Sequence, residues 1–264
     1  MEVPSEHEVD AMGYFDAVKK VYRDSLKPND IFWNVYVARP MAAPLVLLLS
    51  RTKVTPNQVT LMGAVVFMGV IASLILVPDW QGMLPAAAIL ELAYIFDCAD
   101  GQLARITKMT STVGAYLDFL IDEFKALGLV AAFSVRLWLE WERHEWLLVG
   151  LVGVCMVAVA TSLTTFVRRP EYAGVEVKPG VQHKQEIPKS LVGKIVWALK
   201  SVAKWLVHYP SWFVYLALID ILEVVPGSIV FLALYLGVYA LYIAQDGLGI
   251  LLKLGRASYY ENQS

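Results

Sequence analysis

Long apolar runs alternate with short polar ones along the 264 residues. Six runs approach the roughly 17–25 residues that a helix needs to cross a bilayer: 55–77, 84–103, 113–137, 145–167, 209–225 and 228–252. Two further segments read differently. In 31–50, Trp33, Tyr36 and Arg39 flank an apolar run, 42–49, that is too short to span. In 190–207, Lys194, Lys200 and Lys204 alternate with Ile195, Val196, Leu199, Val202 and Leu206. Both patterns predict helices lying in the membrane interface. Residues 1–30 are polar, with a modest helical face of Met12, Phe15, Val18, Val21 and Tyr22. They predict a cytoplasmic extension. Thr55 is placed to cap the first span, with Pro56 in its first turn. The expected fold class is therefore all-α and polytopic. An extension and interfacial helix (1–56) precede a six-span membrane domain (57–253) and a short tail (254–264).

Composition supports a membrane protein. The chain is 58% hydrophobic and 17% charged, with a mean hydropathy of +0.55, against about 45–50% and about 25% for average globular chains. The net charge of −2 carries little information, but its distribution does. Seven Lys and Arg precede Pro56, two lie in the 105–112 loop, eight fall in 168–204 and two follow Leu252, whereas the turns after the first and fifth runs have none. That bias places both termini and the 105–112 loop in the cytoplasm. All eight tryptophans fall near predicted boundaries, as an interfacial belt requires. Cys98 and Cys155 lie in apolar runs and indicate no disulfide framework; His7, His144, His183 and His208 show no ligand spacing. Gly63, Gly69 and Ala72 give the first span a small-residue face of the kind that packs against a second copy.

One stretch, DCADGQLARITKMTSTVGAYLDFLID, stands out at 97–122. Asp97 and Asp100 are spaced i,i+3, and Asp118 and Asp122 i,i+4, so each pair shares a helix face. Gly101 and Ala104 continue the first face, and Gly114 lies on the second. Two carboxylate stripes bordered by nearly absent side chains suit a ligand lying against backbone and held through metal ions. Carboxylates without Cys or His partners favour hard cations such as Mg²⁺ or Mn²⁺. A solvated turn between helices accounts for acids at helix ends but not for their phasing with Gly101, Ala104 and Gly114. A cation transporter would spread its acids through mid-membrane, whereas these cluster at the cytoplasmic ends of two adjacent spans. Nucleic-acid binding has no support, because the basic residues follow the membrane boundary.

The pattern Asp97-x-x-Asp100-Gly101-x-x-Ala104-Arg105, eight residues, Gly114-x-x-x-Asp118-x-x-x-Asp122 resembles the signature of the CDP-alcohol phosphotransferase family at all eight positions. The resemblance implies an enzyme of phospholipid synthesis. It would transfer a substituted phosphate from a CDP-linked donor to an alcohol hydroxyl and release CMP, with the lipid on either donor or acceptor. It makes Asp97, Asp100, Asp118 and Asp122 ligands of a pair of Mg²⁺ or Mn²⁺ ions, and Asp122 also the base. Gly101, Ala104 and Gly114 would admit the donor, and Arg105 and Ser111 would contact it. Asn57, Gln58, Val59 and Thr60 would line its pocket, although Thr-Pro-Asn is also simply a good helix start. Arg168 and Arg169 could hold a phosphate of acceptor or donor, or snorkel as ordinary boundary residues. The family also implies a homodimer with one active site in each protomer.

Overall fold

The computed structural model describes residues 12–27, 30–173, 190–222 and 225–255. Every regular element among them is helical. In chain order these are α1 (Tyr14–Asp24), a π-helical turn (Asn34–Ala38) running into α2 (Arg39–Leu49), α3 (Pro56–Leu76), α4 (Trp80–Ile106), α5 (Thr112–Trp141), α6 (Glu145–Val167), the single turn α7 (Pro170–Ala173), α8 (Leu191–Val207), a 3-10 turn (Tyr209–Ser211), α9 (Phe213–Ile221) and α10 (Gly227–Leu254).

Among the described residues, four helices are long and apolar enough to cross a membrane: α3, α4, α6 and α10. They correspond to the first, second, fourth and sixth apolar runs. The third run forms the 30-residue α5, but Asp118, Asp122, Glu123, Lys125, Arg136 and Glu140 interrupt its apolar character. The fifth run differs most from expectation. A 3-10 turn containing Pro210 and a non-helical Trp212 (φ −133°, ψ −3°) precede the nine-residue α9. At 1.5 Å per residue that helix is about 14 Å long, roughly half of a hydrocarbon core. The Trp212 indole donates to the Leu206 carbonyl at 3.1 Å, which ties this break to the end of α8.

The chain packs as two compact units. Among the described residues, the first comprises those of 12–76 and 81–125 and the second those of 77–80, 126–173 and 190–255. In the first unit, α3 begins with a reciprocal cap. Gln58 Oε1 accepts from the Thr55 N–H at 2.8 Å, and Thr55 Oγ1 accepts from the Gln58 N–H at 3.4 Å. Small residues bring α3 against α4: a Cβ on Gly63 would lie 3.0 Å from Phe96 Cβ, and one on Gly69 would lie 3.3 Å from Ile89. The glycines that offered a face for a second copy are thus spent within one chain. A core of Ala17 and Val21 on α1, Ala42, Ala43 and Val46 on α2, Val59 on α3, and Cys98, Ala99 and Leu103 on α4 joins the N-terminal segment to the motif helix.

A polar network reinforces that junction. Arg39 Nε donates to Asp30 Oδ2 at 2.5 Å, with both side chains 7% exposed. Asn34 donates to Asp30 Oδ1 at 2.9 Å and accepts from the Tyr94 hydroxyl at 2.5 Å. Burial alone would raise the Asp30 pKa, but the Arg39 charge, the Ile31 N–H and the Asn34 amide outweigh it. Together they hold the carboxyl below its ordinary value of 3.8.

The second unit closes around stacked rings. Phe133 and Phe231 lie 4.3 Å apart and Phe231 and Tyr235 4.8 Å apart, with Phe213 and Trp212 beside them. Gly150 and Gly153 allow α6 to approach Ser134 and Val130 of α5. Buried Arg136 donates to Asp220 Oδ2 at 2.7 Å and to the Asp79 carbonyl at 2.8 Å, while Asp220 also accepts from the Gly227 N–H. That cluster holds charges that would be costly if left unpaired.

Candidate active site

The motif occupies the end of α4, the turn after it and the start of α5, all within the first unit. The turn passes through Lys108 with φ 58°, a left-handed conformation that reverses the chain sharply. Ser111 then caps α5, its hydroxyl accepting from the Gly114 N–H at 3.0 Å. The reversal brings the two carboxylate stripes together. Asp97 on α4 and Asp118 and Asp122 on α5 each present an oxygen within 4.8 Å of the others. Asp97 and Asp118 are half-buried and Asp122 is exposed.

Asp100 stands outside that trio. It is buried, and its Oδ2 accepts from the Thr60 hydroxyl at 2.5 Å, a contact spanning 40 residues of chain. Thr60 thus ties the start of α3 to the motif. Asn57 does the same from the other side: a Cβ on Gly114 would lie 3.1 Å from both Asn57 Oδ1 and Ser111 Oγ. Glycine at 114 is what lets Asn57 approach. Gly101 likewise leaves room for the Arg105 guanidinium, whose Nη1 would be 3.2 Å from an added Cβ.

Other anticipated residues are engaged differently. The Gln58 side chain closes the α3 cap, and Val59 is fully buried in the core. Arg168 ends α6 and Arg169 begins the next turn, both in the second unit. Lys178, His183 and Lys184, which read from sequence as a solvated loop able to reach an acceptor, lie outside the described residues.

Three participants were not anticipated. The buried Lys125 ammonium donates to Asp97 Oδ1 and, at 3.2 Å, to Asp122 Oδ1. Ser25, fully buried after α1, accepts from Gln102 through its hydroxyl and from Arg105 Nε through its carbonyl, each at 2.7 Å. A sequence signal for Lys125 exists. It is the only basic residue in 109–135, and its i,i+3 spacing from Asp122 and i,i+7 spacing from Asp118 put it on their face.

Three convergent carboxylate oxygens with no sulfur or imidazole among them match the donor set of a hard divalent cation. A site of this kind at the ends of apolar helices, bordered by glycines and an arginine, suits a divalent cation held beside a phosphate-bearing ligand. The family model described as CDP-alcohol phosphatidyltransferase matches residues 53–239. The chain belongs to the CDP-alcohol phosphatidyltransferase family. It is accordingly an integral membrane enzyme that transfers a substituted phosphate from a CDP-linked donor to an alcohol in phospholipid biosynthesis.

Among its relatives is the phosphatidylinositol phosphate synthase of Corynebacterium glutamicum, 32% identical over 158 residues, which are 59% of this chain and 69% of that protein. The bifunctional IPC transferase and DIPP synthase of Thermococcus kodakarensis is 31% identical over 169 residues, 58% of this chain and 36% of that one. Its namesake from Aquifex aeolicus is 29% identical over 111 residues, 41% of this chain and 24% of that one. The chain thus spans well under half the length of the two bifunctional relatives.

Proposed function

We propose that the enzyme carries its lipid on the donor, as a CDP-diacylglycerol, and passes the phosphatidyl group to a polar alcohol of the inositol phosphate kind. The activity for which the Corynebacterium relative is named supports this choice. The convergence of Asp97, Asp118 and Asp122 within 4.8 Å carries the chemical part of the proposal. With Asp100 they would hold two Mg²⁺ or Mn²⁺ ions. Bound there, such ions polarise the attacked phosphorus and neutralise charge on the departing phosphate.

The chain's own residues do the rest. Asp122 takes the proton of the acceptor hydroxyl as its oxygen bonds to the phosphorus, and the phosphoanhydride bond breaks to release CMP. Asn57, Thr60, Gly101, Ala104, Arg105, Ser111 and Gly114 surround the donor. Gln58 and Val59 serve it through the start of α3 that they fix. Arg168 and Arg169 are candidates for an acceptor phosphate. The basic-residue bias supports an even number of crossings with both termini and the active site in the cytoplasm; the divisions at 56/57 and 253/254 follow the ends of the apolar runs. A homodimer rests on the family resemblance.

The test is CMP release by purified protein supplied with CDP-diacylglycerol or CDP-head-group donors and a panel of alcohols that includes inositol phosphate. Turnover only with a CDP-head group and a lipid alcohol refutes the proposed direction.

A further inference from the structure

We propose that Lys125 is a built-in cation of the acidic cluster, and that it sets how tightly the cluster holds a divalent ion. The inference rests on the metal-site reading above and adds to it a residue outside the eight-position motif.

Lys125 follows the motif by three residues, yet its side chain is only 7% exposed and turns back into the carboxylates. Its ammonium bonds at once to Asp97 on α4 and Asp122 on α5. A lysine with solvent in reach gives up hydration and stem freedom to sit so deep, and does so only where negative charge is concentrated. The cluster supplies that charge. Four carboxylates lie on facing stripes, and Asp97, Asp118 and Asp122 have oxygens within 4.8 Å of one another.

Two consequences follow from one unit of positive charge at that position. It offsets repulsion between acids on different helices, so the stripes stay together whatever else is bound. It also repels any second cation nearby, and at a few ångströms that effect is large even at the intermediate effective dielectric of a protein surface. Lys125 therefore preorganises the site and weakens its hold on a metal. The ammonium competes with a divalent ion for the same oxygens of Asp97 and Asp122. An enzyme that must release CMP together with metal-bound phosphate charge gains from a site that does not hold its ions too tightly.

The experiment is Mn²⁺ binding to the full-length protein in detergent, read as free Mn²⁺ by electron paramagnetic resonance, without substrate. Wild type is compared with Lys125→Met, which keeps the stem and removes the charge, and with Lys125→Arg, which keeps the charge. Lys125→Met is expected to tighten the Mn²⁺ dissociation constant by roughly tenfold or more. Lys125→Arg should stay within about threefold of wild type. Thermal unfolding gives a second readout: Lys125→Met melts lower than wild type in chelator, and saturating Mn²⁺ closes the gap. Binding by wild type with equal or weaker binding by a Lys125→Met protein that elutes as a folded species overturns the role of Lys125 alone. Absence of Mn²⁺ binding in wild type and both variants overturns the metal site together with it.

Discussion

Replacing Asp122 with asparagine separates chemistry from architecture at this site. The Asp122 side chain is 56% exposed, and its Oδ1 accepts from Lys125 at 3.2 Å. An amide oxygen accepts from the same ammonium, so the contact survives in weaker form. The buried Lys125 keeps its bond to Asp97, and the exposure of Asp122 limits its own share to about 1 kcal/mol, so the variant should fold with little change in stability. Loss of a positioned general base costs about 10²–10⁴ in rate, or about 2.7–5.4 kcal/mol of activation free energy at 1.36 kcal/mol per decade. The catalytic loss therefore exceeds the structural one several-fold. Asp97→Asn is the contrasting variant. Asp97 is the α4 member of the convergent trio and the second partner of Lys125, so its neutralisation weakens donor binding and turnover together. Single-turnover CMP formation and donor affinity, measured separately, distinguish the two patterns. Turnover by Asp122→Asn within a few-fold of wild type removes Asp122 from the base role. Loss of donor binding that extra metal restores makes it a ligand first.

Thr60→Val keeps side-chain shape but withdraws the hydroxyl from buried Asp100. An unsatisfied buried acceptor costs about 1–3 kcal/mol, and more if charged, so the melting temperature should fall and Thr60→Ser should restore it; equal melting of Val and wild type refutes the bond's importance. Asp30→Asn leaves the Arg39 guanidinium buried without its counter-charge, a change in the class that costs about 3–5 kcal/mol. Because the folded carboxyl titrates below 3.8, its contribution is fully present above that value and is lost as pH falls through and below it. The stability gap between wild type and Asp30→Asn, followed by chemical unfolding, should be constant from pH 7 to about 5 and shrink below about 4. A gap that widens on acidification contradicts the assignment.

The helical class and the acidic pairing were legible because both depend on local spacing. Apolar run length indicates α3, α4, α6 and α10, and the i,i+3 and i,i+4 acids indicate two faces that a single turn brings together. What was not legible depends on tertiary contacts. Hydropathy counts apolar residues but does not report where a backbone turns, so 209–225 reads as a span although Pro210 and Trp212 divide it. Gly63 and Gly69 read as a surface for another chain because small residues mark close approach without naming the partner; the partner is α4. Lys125 beside Glu123 and Asp122 looks like one more surface charge until the α4–α5 turn folds Asp97 against it. Val59 sits in a stretch expected to line the donor pocket, but its phase on α3 turns it toward the core.

Ser25 lies outside the matched 53–239 region, yet its carbonyl and hydroxyl hold Arg105 and Gln102. Release of α1 and release of the motif arginine are therefore one event rather than two. A proteolytic nick or a bulky fusion that pries the amino-terminal segment away would loosen a guanidinium of the reaction centre without touching any residue of the family pattern. Amide exchange along α1 would then report indirectly on the order of the catalytic motif. A shortened chain that keeps the whole recognised core would still lack the Ser25 contacts of Arg105 and Gln102.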